Sequence, residues 1–263
     1  MTSNQTRAKV VLDFKCEGWR SGIPMFFLHG YTDSRRSYDP VLAQLPDFLN
    51  AIAVSQRGHG DSDRPEEGYA PSDFASDLLH LMDTLNIQRS VIVGHSMGAS
   101  VAQRFAIDYP DRTVGLILVG SFYTMHEHPV ATDLWESTVS RLVDPIDPAI
   151  VRAFQEQSVA HPIPRAFFDL VVQESLKVPA RVWKETLRSA LNLDFSEELS
   201  KIKAPTQLIW GNQDVFANRL EQTALLTAIP GSKLKVYGGV GHAPHWEEPA
   251  RFVNDVVDFI WSL

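Results

Sequence analysis

Ser96 stands in Gly94-His95-Ser96-Met97-Gly98, directly after the apolar run Ser90-Val91-Ile92-Val93 and directly before a helical stretch from Met97 to Asp108. Strand, G-x-S-x-G and helix in that order make a nucleophile elbow, a turn so tight that the serine backbone is strained and its hydroxyl is lifted out of the sheet. Only small residues fit two positions before and after it, hence Gly94 and Gly98. The same turn leaves the Met97 N–H, the first orphan donor of the new helix, where a carbonyl oxygen would become an anion. A serine hydroxyl alone is a poor nucleophile and needs a base and a carboxylate that orients the base. His242 follows the strand-like Leu234-Lys235-Val236-Tyr237 and a glycine-rich turn, Gly238-Gly239-Val240-Gly241. Asp214 follows the strand-like Thr206-Gln207-Leu208-Ile209-Trp210 through Gly211. Both lie at the carboxyl ends of predicted strands, the edge where open parallel sheets carry their sites.

Each of these residues has a rival reading. Asp214 would also serve as the N-cap of a helix over 215–227, but its place just after Gly211 favours the acid role. His245 lies three residues beyond His242; His242 comes directly after the glycine-rich turn and is the expected base, with His245 a structural neighbour of Trp246. His95 is expected to pack. His126-Glu127-His128 offers two metal ligands without a third, so no metal is expected. The glycines follow no phosphate-cradling pattern, so no nucleotide cofactor is expected either.

These residues need a scaffold. Pro24-Met25-Phe26-Phe27-Leu28 and Asn50-Ala51-Ile52-Ala53-Val54 are continuous apolar runs, as expected of strands buried on both faces. Lys9 to Phe14 reads as an antiparallel edge strand. Ser72 to Leu85 has helical apolar spacing with Ser72 as N-cap, and a strand over Val114 to Val119 follows the elbow helix. Alternating strands and helices predict an α/β fold: a mostly parallel central sheet with helices on both faces. The alternation breaks between Phe122 and Phe195, where prolines (129, 145, 148, 162, 164, 179) punctuate helical patterns. This predicts a core formed by 1–121 and 196–263, interrupted by a helical insertion over 122–195.

Bulk properties narrow the function. The chain has 263 residues, which suits one large α/β domain with an insertion. Its net charge of −8, with no basic run beyond Arg35-Arg36, argues against nucleic acid and anionic membranes as partners. The single cysteine, Cys16, precludes an internal disulfide and implies a reduced, cytosolic chain. The first residues lack the pattern of a signal peptide, and no apolar run approaches a membrane span.

The landmarks together resemble the α/β-hydrolase fold family over almost the whole chain. Besides Ser96, Asp214 and His242, which keep the family's chain order, they include Leu28-His29-Gly30-Tyr31-Thr32-Asp33-Ser34, Gln56-Arg57-Gly58-His59-Gly60-Asp61-Ser62, and Gly241-His242 followed by Trp246-Glu247-Glu248-Pro249. The resemblance implies that the backbone N–H groups of Tyr31 and Met97 form an oxyanion hole. It implies that His59 and Asp61 belong to a structural loop and that 122–195 is a lid over the serine. Some relatives carry their acid just after the strand over 114–119; here that place is Gly120-Ser121-Phe122, without a carboxylate, and Glu127 lies too far along. The chain has His-Gly-Tyr where lipases are glycine-rich, which disfavours bulky tertiary esters. Aspartate nucleophiles of dehalogenases and epoxide hydrolases are set aside, since position 96 is serine. The implied function is a cofactor-free serine hydrolase of a small, uncharged, partly hydrophobic ester or lactone. Carbon–carbon bond hydrolysis, perhydrolysis and a slow-turnover small-molecule receptor use the same triad and stay open. The apolar lid residues, among them Trp135, Val139, Leu142, Phe154, Val171, Trp183 and Leu187, are expected to be mostly lid core, with a minority lining the pocket.

Overall fold

A computed structural model describes residues 9–192 and 194–263. The chain runs through β1 (Phe14–Gly18), β2 (Ile23–Leu28), α1 (Asp39–Leu42), β3 (Leu49–Val54), α2 (Pro71–Thr84), β4 (Ser90–His95), α3 (Met97–Asp108) and β5 (Thr113–Val119). Four helices follow without an intervening strand: α4 (Pro129–Ser137), α5 (Pro148–Glu156), α6 (Arg165–Leu176) and α7 (Ala180–Leu191). The alternation then resumes with β6 (Thr206–Gly211), α8 (Arg219–Ala228), β7 (Lys233–Tyr237), α9 (Pro244–Glu247) and α10 (Pro249–Trp261). The seven strands form one sheet in the order β1-β3-β2-β4-β5-β6-β7. Only β1 runs antiparallel to its neighbour; every other pair is parallel.

The continuous apolar runs are explained by burial on both faces. Along β2, Phe26 and Leu28 join a cluster with Phe74 and Leu78 of α2 and Val101 and Phe105 of α3. Met25 and Phe27 point the other way, to a second cluster with Phe252, Val256 and Phe259 of α10. A strand sandwiched between two helical layers has no wet side, so period-2 alternation disappears. Among the described residues, no helix is long and apolar enough to cross a membrane.

The edge strand differs from its expected place, 9–14. Val10-Val11-Leu12 does not pair with a strand but with the loop after β3: the Ser55 N–H donates to the Asp13 carbonyl (2.8 Å) and the Asp63 N–H to the Val11 carbonyl (3.0 Å). The ladder begins at Phe14, where it matches Val54, and continues through Cys16 opposite Ile52. The apolar residues are thus spent on a loop contact, while the exposed strand is defined by backbone pairing that side-chain pattern does not report.

The helical stretch starts its elements on prolines. Pro129 and Pro148 sit in the first turns of α4 and α5, and Pro164 and Pro179 are the residues before α6 and α7. A missing N–H costs nothing there, because the first turn has no intrahelical acceptor for it. Val139, Leu142, Val172 and Trp183 join the core cluster of α2 and α3. Val171 packs instead with Ala243 and Trp246, close to the histidine loop.

Candidate active site

Ser96 lies between β4 and α3 with φ 54° and ψ −116°, a conformation an L-residue adopts only under constraint. The constraint is visible in its glycine neighbours. A Cβ on Gly94 would stand 2.2 Å from the Gly98 carbonyl oxygen, and one on Gly98 would stand 2.3 Å from that of Leu28. The Ser96 N–H is tied to the Val119 carbonyl (2.9 Å), so β5 fixes the start of the turn. Ser96 lines a cavity shared with His95, Met97, Phe122 and His242.

His242 lines the same cavity. Its Nδ1 is 2.7 Å from Oδ2 of Asp214. A carboxylate only accepts, so Nδ1 carries the proton and Nε2 is left with a free lone pair. The other Asp214 oxygen, Oδ1, accepts from the Phe216 (2.8 Å) and Ala217 (2.9 Å) N–H groups. Asp214 therefore closes a turn with one oxygen and orients the histidine with the other. The helix expected from 215 starts later, at Arg219, with Asn218 as its N-cap. Gly120, the first residue after β5, has no room for a side chain: a Cβ there would stand 2.9 Å from His242 Nδ1 and from the His242 carbonyl oxygen. Glu127 projects to solvent with an 87% exposed side chain, 4.0 Å from His126.

The other histidines take structural places. The Nε2–H of His95 donates to the His242 carbonyl at 3.0 Å, so His95 braces the His242 backbone rather than merely packing. His245 stacks on Tyr38 and lies 3.3 Å from the Ser37 hydroxyl, outside the cavity lining. His29 donates through Nδ1 to the Gly30 carbonyl (2.8 Å) and accepts the Gln56 N–H at Nε2 (2.9 Å), shaping the loop that carries Tyr31. His59 is buried beside His29, and Asp61 is exposed and paired with Lys177 of the helical stretch. His128 is buried against Phe122 and Glu221, while His126 lies at the surface. Among the described residues, no group of three or more His, Cys, Asp or Glu side chains is placed to hold a metal ion.

The cavity wall is apolar and contains no Lys or Arg among the described residues. Phe216 (ring centroids 4.8 Å) and Phe122 (6.0 Å) flank His242. Of the apolar residues expected in the helical stretch, Phe154 and Leu187 reach the cavity, joined by Met125, Val130, Ala131 and Leu134. Several polar members are not legible in the sequence, Asp33 and Gln155 among them. Asp33 belongs to a recognisable motif, but nothing in that motif reports its burial. Gln155 carries no local signal at all.

Buried titratable groups give this region a pH signature. Burial holds His29 and His95 well below the ordinary histidine range, His59 down to about 4 and His245 to about 3. Burial pushes the Asp33 carboxyl the other way, up to about 7. The four histidines are neutral when folded, yet bind protons near 6.5 when unfolded, so each costs stability as pH falls below that value. Asp33 opposes them between about 7 and the unfolded value of 3.8, where the folded chain is the first to be protonated. The buried histidines outnumber Asp33, so their loss of stability on acidification dominates in this region. Urea midpoints are expected to fall steeply from pH 7.5 to 5. A flat profile over that span contradicts the neutral buried histidines.

The relatives fit this architecture. An uncharacterized protein of Mycobacterium tuberculosis is 30% identical, over 91% of this chain and 76% of its own. A 2-hydroxy-6-oxononadienedioate/2-hydroxy-6-oxononatrienedioate hydrolase of Paraburkholderia phymatum is 26% identical, over 90% of this chain and 86% of its own. Among solved structures, an esterase from a Rhodococcus species superposes with a TM-score of 0.85 at 26% identity, covering 96% of this chain and 95% of that one. The model of the alpha/beta hydrolase family matches residues 25–256, from the second strand into the last helix. A match of that extent, on a sheet of this order and an elbow of this geometry, makes the chain a member of the alpha/beta hydrolase family.

Proposed function

We infer that this chain is a serine hydrolase of carboxylic esters or lactones whose chemistry is carried by Ser96, His242 and Asp214 without a cofactor. The observation that carries the reading is the 2.7 Å contact of His242 Nδ1 with Asp214, at a cavity that the strained Ser96 also lines. His242 Nε2 takes the Ser96 proton as the oxygen attacks the carbonyl carbon. The N–H groups of Met97 and Tyr31 receive the developing oxyanion. The imidazolium, steadied by Asp214, protonates the leaving alcohol, and water repeats the cycle to release the acid. Helices α4, α5 and α7 act as the lid, since their side chains form one wall of the cavity.

The absence of Lys and Arg from the described lining supports an uncharged substrate. A substrate carboxylate there would be desolvated without a cation, a cost of several kcal/mol. Neutral p-nitrophenyl esters and lactones are therefore expected to outperform matched esters bearing a free carboxylate by about a hundredfold or more in kcat/KM. Preference for the carboxylated set, or cleavage of a carbon–carbon bond with no ester turnover, overturns the ester reading. Stoichiometric acylation with a single slow turnover points to a receptor instead.

The lid wall sets chain length. Phe154→Ala or Leu187→Ala is expected to favour longer acyl chains by about 1–3 kcal/mol of binding free energy, with little loss on acetate esters. Leu142 is buried in the core cluster and does not line the cavity, so Leu142→Ala is expected to cost about 2–5 kcal/mol of stability and leave the chain-length profile alone. A chain-length series run beside melting curves separates the two effects.

A further inference from the structure

Three consecutive residues of the loop after β2 are held by the helical stretch. The Tyr31 hydroxyl donates to the Trp183 carbonyl of α7 at 2.6 Å. The Gln155 side-chain amide, on α5, donates to Thr32 Oγ1 (3.1 Å) and to Asp33 Oδ1 (2.9 Å), and lies 2.8 Å from the Ser175 hydroxyl of α6. Gln155 is only 1% exposed, although it is a polar residue on a helix with a solvent face. Thr32 has φ 68°, in the left-handed region that a β-branched residue enters only when its surroundings hold it there. The peptide just before it carries the Tyr31 carbonyl, and the one before that the Tyr31 N–H.

We propose that Gln155 is a positioning residue for the oxyanion hole: by gripping Thr32 and Asp33 from the lid, it holds the loop in the conformation that aims the Tyr31 N–H at the reacting carbonyl oxygen. This rests on the ester-hydrolase reading of the same site. From the sheet side the loop is held at its start, where the Gln56 side-chain amide donates to the His29 carbonyl (2.8 Å), whereas the hydrogen bonds of the Thr32 side chain run to Gln155 and Ser175 of the helical stretch. Within the loop, the Asp33 N–H makes only a long bond to the Gly30 carbonyl, at 3.3 Å. The stretch after Gln155 is stitched to the opposite side of the site. Ala243 N–H donates to the Ser158 carbonyl (2.9 Å), and Glu247 accepts from both Gly241 (2.7 Å) and His161 (3.0 Å) N–H groups. One short segment, 155–161, thereby spans the donor loop and the histidine loop. Burial pushes the Asp33 carboxyl up to about 7, and Gln155 is foremost among the groups that favour its ionised form, ahead of His242, Gly30 and Ser37. The amide thus meets a partner that gains from its proton.

The arrangement can be inverted chemically. In the paired exchange Asp33→Asn with Gln155→Glu, the amide introduced at position 33 becomes the donor and the carboxylate introduced at position 155 the acceptor, while the Thr32 and Ser175 hydroxyls turn from acceptors to donors. Gln155→Ala is expected to lower kcat on p-nitrophenyl acetate about ten- to a hundredfold while KM changes less than twofold. The affinity of a trifluoromethyl ketone, which forms a tetrahedral oxyanion on Ser96, should fall by the same factor as kcat. Asp33→Asn alone should lose activity, and the paired exchange should recover at least a tenth of the wild-type kcat. If Gln155→Ala folds and keeps wild-type kcat and ketone affinity, or shifts KM alone, the proposal is wrong. If Gln155→Ala does not fold, the paired exchange decides alone: a folded double variant no more active than Asp33→Asn overturns it. Fluorophosphonate labelling of Ser96 in the wild-type protein keeps the tests apart. Absent labelling sinks the hydrolase reading itself, whereas labelling with an indifferent Gln155→Ala sinks only the positioning role.

Discussion

Ser96→Ala is expected to lower ester turnover by roughly 10⁴-fold or more while the protein keeps its fold. Without Oγ no acyl-enzyme forms, and the residual rate comes only from cavity binding and the oxyanion donors. The fold should survive because the backbone strain at position 96 is imposed from outside. Gly94, Gly98 and the Val119 carbonyl set the turn, and none of them is altered. Alanine can occupy the same φ and ψ at a cost similar to that of serine. The measurements are steady-state kinetics on p-nitrophenyl acetate, circular dichroism, and labelling by a fluorophosphonate, which should vanish in the variant. Near-normal turnover by a folded, unlabelled variant would exclude Ser96 as nucleophile.

Asp214→Asn is expected to cost roughly 10²–10⁴-fold in kcat with little change in melting temperature. The asparagine carbonyl can still accept from the Phe216 and Ala217 N–H groups, so the turn before α8 persists. Its amide then meets Nδ1 of His242 as a donor. The imidazole must present a lone pair there, its proton moves to Nε2, and no base faces Ser96. Asp214→Ala should lose the turn as well and so lower both rate and stability. Glu127→Gln should change neither, because the Glu127 side chain stands in solvent and His242 Nδ1 is already paired with Asp214. Normal activity in Asp214→Asn, or a large loss in Glu127→Gln, would move the acid elsewhere.

The sequence by itself determined the features written within a few residues. The strand–Gly-x-Ser-x-Gly–helix turn is written locally, and its tightness demands glycine at 94, while glycine at 98 also makes room for the Leu28 carbonyl of β2. The doubly buried strands are local too, since burial on both faces leaves an unbroken apolar run. The proline-started helices between β5 and β6 follow from backbone chemistry in their first turns. Tertiary structure decided what depends on residues far apart in the chain. Sequence position favoured Asp214 over Glu127, but only folding brings its Oδ2 to His242, 28 residues away, and fills the space beside Gly120 with the imidazole ring. Of the apolar residues at helical spacing, only packing separates Phe154 and Leu187, which face the cavity, from Leu142 and Trp183, which do not. The edge strand moved from 9–14 to 14–18 because its pairing is made by backbone groups that carry no residue-specific mark. Gln155 reaches its partners at positions 32, 33 and 175, and no spacing rule connects those numbers. A hydrogen bond between distant segments depends on where the chain brings them, and that depends on the packing of the whole molecule.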